Sequence, residues 1–487
     1  MTDTLAPVRP GKLIINGEAV DAASGKTFTT VNPATEEPIC AVAEAGAEDV
    51  DRAVKAARAA FDSGPWSKMK TSERQRLLWK WSELIEKNAD EIARLETLDN
   101  GKPIFEARLV DIPMVVNTFQ YFAGWATKIA GETLPVNPAY FTYTLREPIG
   151  VIGAIIPWNF PMIMTGWKTA PALAAGNTVV LKPAELTPLS AIRIGELAIE
   201  AGLPPGVFNV VPGKGSIAGE AMVKHPMIDK ISFTGSTQVG RHIMKSAADT
   251  MKKLTLELGG KSPNIIFADA DLDAALRGAT MGIFYGKGEV CAAGSRLLVE
   301  SSIYDDFVVK LAERAKKMLP SDPLDPKSRL GSLVSQEQLT KVLGYVESGR
   351  KEGARVIAGG ERQPVNGKGW FMQATVLDGV ENTMRVAQEE IFGPVLSVIR
   401  FDGVDDAIAK ANAIDFGLAA GIWTQNVKKA HAVARRIQAG TVWVNTYNFY
   451  DAGMPFGGYK QSGFGRDLGP ECLRDVTQTK SVWVSVE

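Results

Sequence analysis

Residues 149–182 read IGVIGAIIPWNFPMIMTGWKTAPALAAGNTVVLK. No charge occurs from 149 to 167, a run approaching the length that spans a bilayer. Pro157, Asn159 and Pro161 stand in its middle, where a lipid-facing helix would leave backbone groups unpaired. No membrane association is expected. The stretch reads instead as a buried strand ending near 156, a proline-fixed turn, a buried helix, and a second short strand, TVVL at 178–181. Strands apolar on both faces and joined through a helix predict a parallel sheet covered on both sides.

The alternation continues downstream. Helical spacing at 189–201 is stopped by Gly202 and Pro204-Pro205. A strand follows at 207–211, a helix at 216–224, a strand at 229–233 and a helix at 237–248. This is the pattern of a dinucleotide-binding sheet, whose ligand sits beyond the carboxyl ends of the strands. A second α/β unit starts with NIIF at 264–267, continues with a helix at 273–286, a strand at 296–300 and a helix at 303–318, and runs to about 460. Upstream, Asn16-Gly17 marks a hairpin within LIINGEAV at 13–20. NPATEE at 32–37 marks a turn, and helical spacing covers 48–62, 72–99 and 109–128. Residues 141–156 are strand-like in two runs, FTYTLREP and then VIGAII. KSVWVSV at 480–486 is a terminal strand without an obvious local partner, expected to pair with another subunit, with pairing inside its own chain as the alternative.

Composition excludes several classes. The 487 residues need more than one core. Basic and acidic residues number 54 and 55, a net charge of −1, so the basic excess of a nucleic-acid binder is missing. Three cysteines (40, 291 and 472) form no disulfide framework, and three scattered histidines suggest no metal cluster. Residues 1–10 lack a charged start running into an apolar stretch, so no secretory signal is read and the cytoplasm is expected.

Six segments carry candidate chemistry. Cys291 lies in GKGEVCAAGSR at 286–296, and the small residues after it leave room beside the sulfur. At a turn, backbone N–H groups would favour a thiolate able to attack a carbonyl; the same cysteine could equally be a small buried hydrophobe. Glu257 lies between leucines in TLELGGKSPN at 255–264. The following glycines would present it to a cleft as a base, although a structural strand-end acid has the same signature. Asn159, between two prolines, is a fixed amide suited to an oxyanion donor or to capping a turn. Lys182 and Glu185 in VVLKPAE reach where ribose hydroxyls would lie, FTGS at 233–236 opens a helix onto a phosphate, and PGKGSIAGE at 212–220 is only loosely a nucleotide loop. The GxGxxG fingerprint is absent.

Taken in order, PWNFP, LKPAE, FTGST, LELGGKSP, GEVCAAGSR, EEIFGPV, WVNTYN and PFGGYKQSGFGR span nearly the whole chain, and it resembles the non-acylating, hydrolytic group of the NAD(P)-dependent aldehyde dehydrogenase superfamily. The resemblance implies an α/β fold with a Rossmann-like cofactor domain (1–126 and 149–260), an α/β catalytic domain (261–460) and a small β oligomerisation element (127–148 and 478–487). It implies Cys291 as nucleophile, Glu257 as general base, and Asn159 with the Cys291 backbone N–H as oxyanion hole. The cofactor would be held by Ile156, Trp158, Lys182, Glu185, Gly215, Gly219, Phe233, Gly235, Ser236, Glu390 and Phe392. NAD is the expected cofactor, because Glu185 would repel a 2′-phosphate, with NADP use left open. An apolar substrate tunnel of Phe160, Met164, Trp167, Tyr447, Phe449 and Tyr450 is implied, suited to medium aliphatic or aromatic aldehydes, in a homodimer or homotetramer. Core packing is the alternative reading of each ring.

The chain departs from the family's usual NQGQxC with Gly286, Lys287 and Glu289. Glu289 is expected to point outward; turned inward, it could raise the thiol pKa. ECLRDVTQTK likewise replaces a more usual tail, which touches end packing only. Rival readings are a CoA-acylating dehydrogenase, a thiol esterase, and a non-catalytic protein on the same scaffold.

Overall fold

A computed structural model describes residues 7–487; the part of the 1–10 stretch before residue 7 lies outside it. The first sheet has eight strands in the order Glu18–Val20, Leu13–Ile15, Phe208–Val210, Thr178–Lys182, Val151–Ile155, Lys230–Thr234, Lys253–Glu257 and Gly463–Phe464. The five from Phe208–Val210 to Lys253–Glu257 are mutually parallel. Helices Pro161–Ala174, Leu189–Ala201 and Thr237–Ala247 make the crossovers. From Val151–Ile155 the chain winds one way through Thr178–Lys182 and Phe208–Val210, then reverses to Lys230–Thr234. That reversal opens a crevice between the carboxyl ends of Val151–Ile155 and Lys230–Thr234, where such sheets bind ligands.

The second sheet has seven strands in the order Arg355–Ala358, Thr375–Asp378, Val395–Phe401, Arg296–Glu300, Pro263–Ile266, Ala419–Trp423 and Thr441–Val444. All are parallel except the Arg355–Ala358 edge. Both α/β alternations of the sequence are therefore present. So is the Asn16-Gly17 hairpin, with φ of 55° and 79° at the two turn residues, as a type I′ turn requires.

The two strand-like runs within 141–156 are two strands, Tyr140–Pro148 and Val151–Ile155, and they belong to different sheets; two other expectations, the helix over 72–99 and the pairing of the terminal strand, need correction. The chain turns at Gly150, with φ 139°, where a Cβ would stand 1.9 Å from the Asp229 carboxylate. The helical span 72–99 is two helices, Thr71–Lys87 and Ala89–Asn100, broken at Asn88. The terminal strand pairs within its own chain: Thr477–Ser485 runs antiparallel to Tyr140–Pro148 over nine residue pairs. Tyr140–Pro148 thus supplies the local partner on one edge of the strand; the two make a two-stranded ribbon whose outer edges stay open. Among the described residues no helix is long and apolar enough to cross a membrane.

Candidate active site

The first sheet's switch point delivers the segment Pro157–Phe160 directly after Val151–Ile155. Asn159 is buried there, and its Nδ2 donates to the Glu289 carbonyl at 2.9 Å. Asn100 supports the turn from behind, donating from Nδ2 to the carbonyls of Trp158 (2.8 Å) and Asn159 (3.3 Å). The facing loop comes from the second α/β unit. Helix Leu272–Phe284 ends in a tight turn in which Gly286, Lys287 and Gly288 all take positive φ (55°, 60° and 71°), and Cys291 follows. Tyr447 holds this loop, its hydroxyl donating to the Ala292 carbonyl at 2.9 Å.

Two cavities meet at the sulfur. One, of about 430 Å³, is apolar and contains all six expected tunnel residues: Phe160, Met164, Trp167, Tyr447, Phe449 and Tyr450. Trp167 packs against Tyr450 and Phe456 at centroid distances of 5.9 and 5.4 Å, and Phe160 stacks on Tyr285 at 6.1 Å. Phe449 is 74% exposed and forms the rim. The other cavity, of about 180 Å³, is lined by Trp158, Asn159, Gly235, Ser236, Glu390 and Phe392. Phe160, Met164 and Cys291 belong to both.

The sequence reading missed several walls. Val110, Met114, Ile163, Met281, Tyr285 and Phe456 complete the apolar cavity, and Thr234, Gly259, Gln338 and Lys341 the polar one. Val110 and Met114, and Met281 and Tyr285, are four apart as on any buried helix face, so nothing distinguishes them from core. Gln338 has no motif around it, yet its Nε2 donates to the Phe392 carbonyl at 2.6 Å. This holds Phe392, at φ 63°, edge-on to Trp158 with a centroid distance of 5.2 Å.

The remaining cofactor candidates lie away from the 180 Å³ cavity, around the sheet's carboxyl edge. Lys182 is buried, donating to the carbonyls of Pro183 (2.8 Å) and Gly213 (2.9 Å), with Glu185 at 3.8 Å. It thereby ties LKPAE to the loop carrying Gly215 and Gly219. Ile156 donates its N–H to the Lys182 carbonyl. Phe233 is packed in the core, its ring 2.4 Å from where a Cβ on Gly235 would stand. Ser236, by contrast, is on the cavity wall, where it caps helix Thr237–Ala247, accepting from the Val239 N–H at 3.3 Å.

Burial dominates the electrostatics around the sulfur. Burial, then the charges of Glu390 and Glu257, push the Cys291 thiol up to about 12, against the opposing pull of the Ala292 and Cys291 N–H groups. The expected thiolate-favouring turn is thus outweighed at rest. Glu289 does not point outward: it is buried, pairs with Lys287 at 2.8 Å and accepts from the Val334 N–H at 3.1 Å. Glu257 is buried with neither carboxylate oxygen hydrogen-bonded, and burial holds it well above the usual carboxylate range. Glu390 accepts from the Gly260 N–H at 2.9 Å and is also raised by burial.

With the thiol near 12, iodoacetamide labelling of Cys291, read by peptide mass spectrometry, should quicken about tenfold per pH unit from 7 to 10. A plateau below pH 8 would contradict the burial argument.

The polar cavity has room for one end of a dinucleotide and carries polar groups to hold it. Thr234 Oγ1 lines it, buried and without a hydrogen-bond partner. A Cβ on Gly259 would stand 2.5 Å from Glu390 Oε2, so only glycine leaves that carboxylate its place.

Residues 19–482 match the sequence profile described as the aldehyde dehydrogenase family. Chicken aldehyde dehydrogenase 1A1 is 52% identical over 477 residues, 98% of this chain and 93% of that protein. Human retinal dehydrogenase 2 is 50% identical, covering 98% and 92%. The NAD+ complex of an aldehyde dehydrogenase from Bacillus cereus superposes with a TM-score of 0.97 at 51% identity, covering 98% of this chain and 97% of that one. A variant of the P. syringae indole-3-acetaldehyde dehydrogenase, in complex with NAD+ and IAA, gives 0.97 at 46% identity, covering 99% and 98%.

Proposed function

This chain belongs to the aldehyde dehydrogenase family and is an NAD-dependent oxidoreductase acting on aldehydes through a cysteine; on that premise we propose that it is hydrolytic, converting apolar medium aliphatic or aromatic aldehydes to carboxylic acids. The observation that carries this reading is Glu257: a buried carboxyl with neither oxygen hydrogen-bonded, near enough to the sulfur to push the Cys291 thiol up when ionised. A base placed there serves water, which transfer to CoA would not need.

Cys291 adds as thiolate to the aldehyde carbon. Its own N–H and the second Nδ2 hydrogen of Asn159, the first being given to Glu289, donate to the oxygen that becomes negative. Collapse of that oxyanion expels hydride and leaves a thioester on Cys291. Glu390 and Phe392 would hold the nicotinamide end of NAD, Ser236 the pyrophosphate, and Lys182 with Glu185 the adenosine ribose. NAD, when bound, supplies the hydride acceptor. Glu257 then takes a proton from water as the water attacks the thioester, releasing the acid and the thiolate. Aldehyde, NAD+ and water become acid, NADH and a proton.

The apolar cavity supports the substrate class, since it offers a carboxylate-bearing semialdehyde no arginine. Two relatives are named for retinal and indole-3-acetaldehyde, both largely apolar. Half-exposed Glu185 supports NAD over NADP, because its charge opposes a 2′-phosphate. We assign residues 1–126 and 149–260 to the cofactor domain, 261–460 to the catalytic domain, and 127–148 with 478–487 to oligomerisation. Exposed Phe141, Leu145, Trp483 and Val484 on the ribbon favour a homodimer or homotetramer. A nucleophile that must stay reduced favours the cytoplasm.

The test is NADH formation on a panel of hexanal, benzaldehyde and succinic semialdehyde, with NAD or NADP and with or without CoA. Turnover without CoA is expected, with kcat/KM for the apolar aldehydes at least about tenfold above the semialdehyde, whose carboxylate would be buried unpaired. Activity only after CoA addition would sink the hydrolytic reading, and a preference for the semialdehyde would sink the substrate class.

A further inference from the structure

Two buried charges beside the nucleophile have no part in that chemistry. Lys287 and Glu289 are 2% and 1% exposed. The Lys287 ammonium donates to the Asn100 carbonyl at 2.7 Å and to Asn100 Oδ1 at 2.8 Å. It lies 2.8 Å from Glu289 Oε2, but Oε2 gains no hydrogen bond, so that tie is one of charge. The other Glu289 oxygen accepts from the Val334 N–H. The Glu289 main-chain carbonyl accepts from Asn159 Nδ2, and Asn100 Nδ2 donates to the carbonyls of Trp158 and Asn159.

These contacts close a ring: Asn159 to Glu289, Glu289 to Lys287, Lys287 to Asn100, and Asn100 back to Asn159. The ring joins the segment carrying the oxyanion donor to the loop carrying the nucleophile, and those two belong to different sheets. Lys287 sits in the left-handed region, φ 60° and ψ 22°, which residues with side chains seldom adopt. The turn is held at its start by Glu106, whose Oε2 accepts from the Gly286 N–H at 3.2 Å. It is crowded at its end, where a Cβ on Gly288 would meet the Gly393 carbonyl at 2.1 Å. The backbone thus directs the ammonium inward onto Asn100.

We infer that Lys287 is a positioning residue: through Asn100 and Glu289, its ammonium fixes the Asn159 amide against the Cys291 loop. The inference rests on Asn159 serving as oxyanion donor. Neither charge is replaceable alone. Removing Lys287 leaves a carboxylate buried without its cation, and removing the Glu289 charge leaves an ammonium with only neutral acceptors. Either change loosens the ring where the amide must not move, since oxyanion donors act only from a fixed place.

The experiment is a double-mutant cycle with Asn159. K287M, E289Q, N159A, K287M/N159A and E289Q/N159A are compared with wild type by single-turnover hydride transfer and by kcat and KM, with rates normalised to active sites counted by fluorescence titration with NAD. K287M should slow hydride transfer at least about tenfold with KM for NAD within about twofold, because only the donor's placement is lost. In the N159A background the same substitution should change the rate less than about twofold, because the group it acts through is gone. E289Q should behave likewise, so the inference stays testable if K287M does not fold. Equal losses in both backgrounds, a change confined to KM, or an undiminished rate would each overturn it. A CoA requirement in wild type would defeat the hydrolytic reading alone, because the cycle reads hydride transfer, which precedes acyl release.

Discussion

Replacing Cys291 by alanine should lower kcat/KM for NAD-dependent aldehyde oxidation by at least about 10⁴-fold, as expected when a covalent nucleophile is removed. Sγ is the only reactive nucleophile where the two cavities meet, and no hydroxyl or amine lines that junction among the described residues shared by both. NAD binding, followed by quenching of tryptophan fluorescence, should stay close to wild type, because the other walls of the polar cavity are untouched. Ester hydrolysis should disappear together with oxidation, since both need an acyl-cysteine. Cys40 and Cys472 serve as controls. The Cys472 thiol donates to the Gly469 carbonyl and is buried; Cys40 lies beside Thr30. Neither lines either cavity, so C40A should keep its activity. Oxidation by C291A within about tenfold of wild type would mean that this sulfur does not carry the substrate.

Much of this arrangement was legible before any coordinates, and the reason differs from residue to residue. The strand, turn and helix of 149–174 are announced by an uncharged run and its prolines, because local sterics decide them. Phe160, Met164, Trp167, Tyr447, Phe449 and Tyr450 were found as a set through motif resemblance; as isolated rings they would have been indistinguishable from core. What remained hidden depends on distant neighbours. The partner of Thr477–Ser485 lies some 330 positions upstream, and a strand's sequence says nothing of which ladder completes it. Glu289 was expected to face solvent because an acid before a thiol reads as an exposed charge. Its burial is decided by Lys287 two residues earlier and by the Val334 N–H 45 positions later. Met114 and Met281 sit on helices that were correctly read as helices, but which apolar face meets a cavity is settled only when a second domain packs there.

Glu257→Gln should separate the two halves of the reaction. Glutamine is nearly isosteric, and neither oxygen of Glu257 makes a hydrogen bond that the amide would break, so the fold and the first half-reaction should survive. The expected trace is a burst of one NADH per active site, at a rate near wild type, followed by steady turnover about 10²–10⁴-fold slower, the usual contribution of a positioned base. Hydroxylamine, which attacks a thioester without a general base, should restore NADH production and yield the hydroxamate. Wild-type kcat should rise with pH when deacylation limits it. Burial holds the Glu257 carboxyl above its ordinary range, so the ionised form that accepts water's proton accumulates only as pH climbs through that raised value. In the variant this rise should flatten. Loss of the burst together with turnover would place Glu257 at or before hydride transfer. Unchanged turnover would remove it as the base, and with it the ground for water over CoA as acyl acceptor.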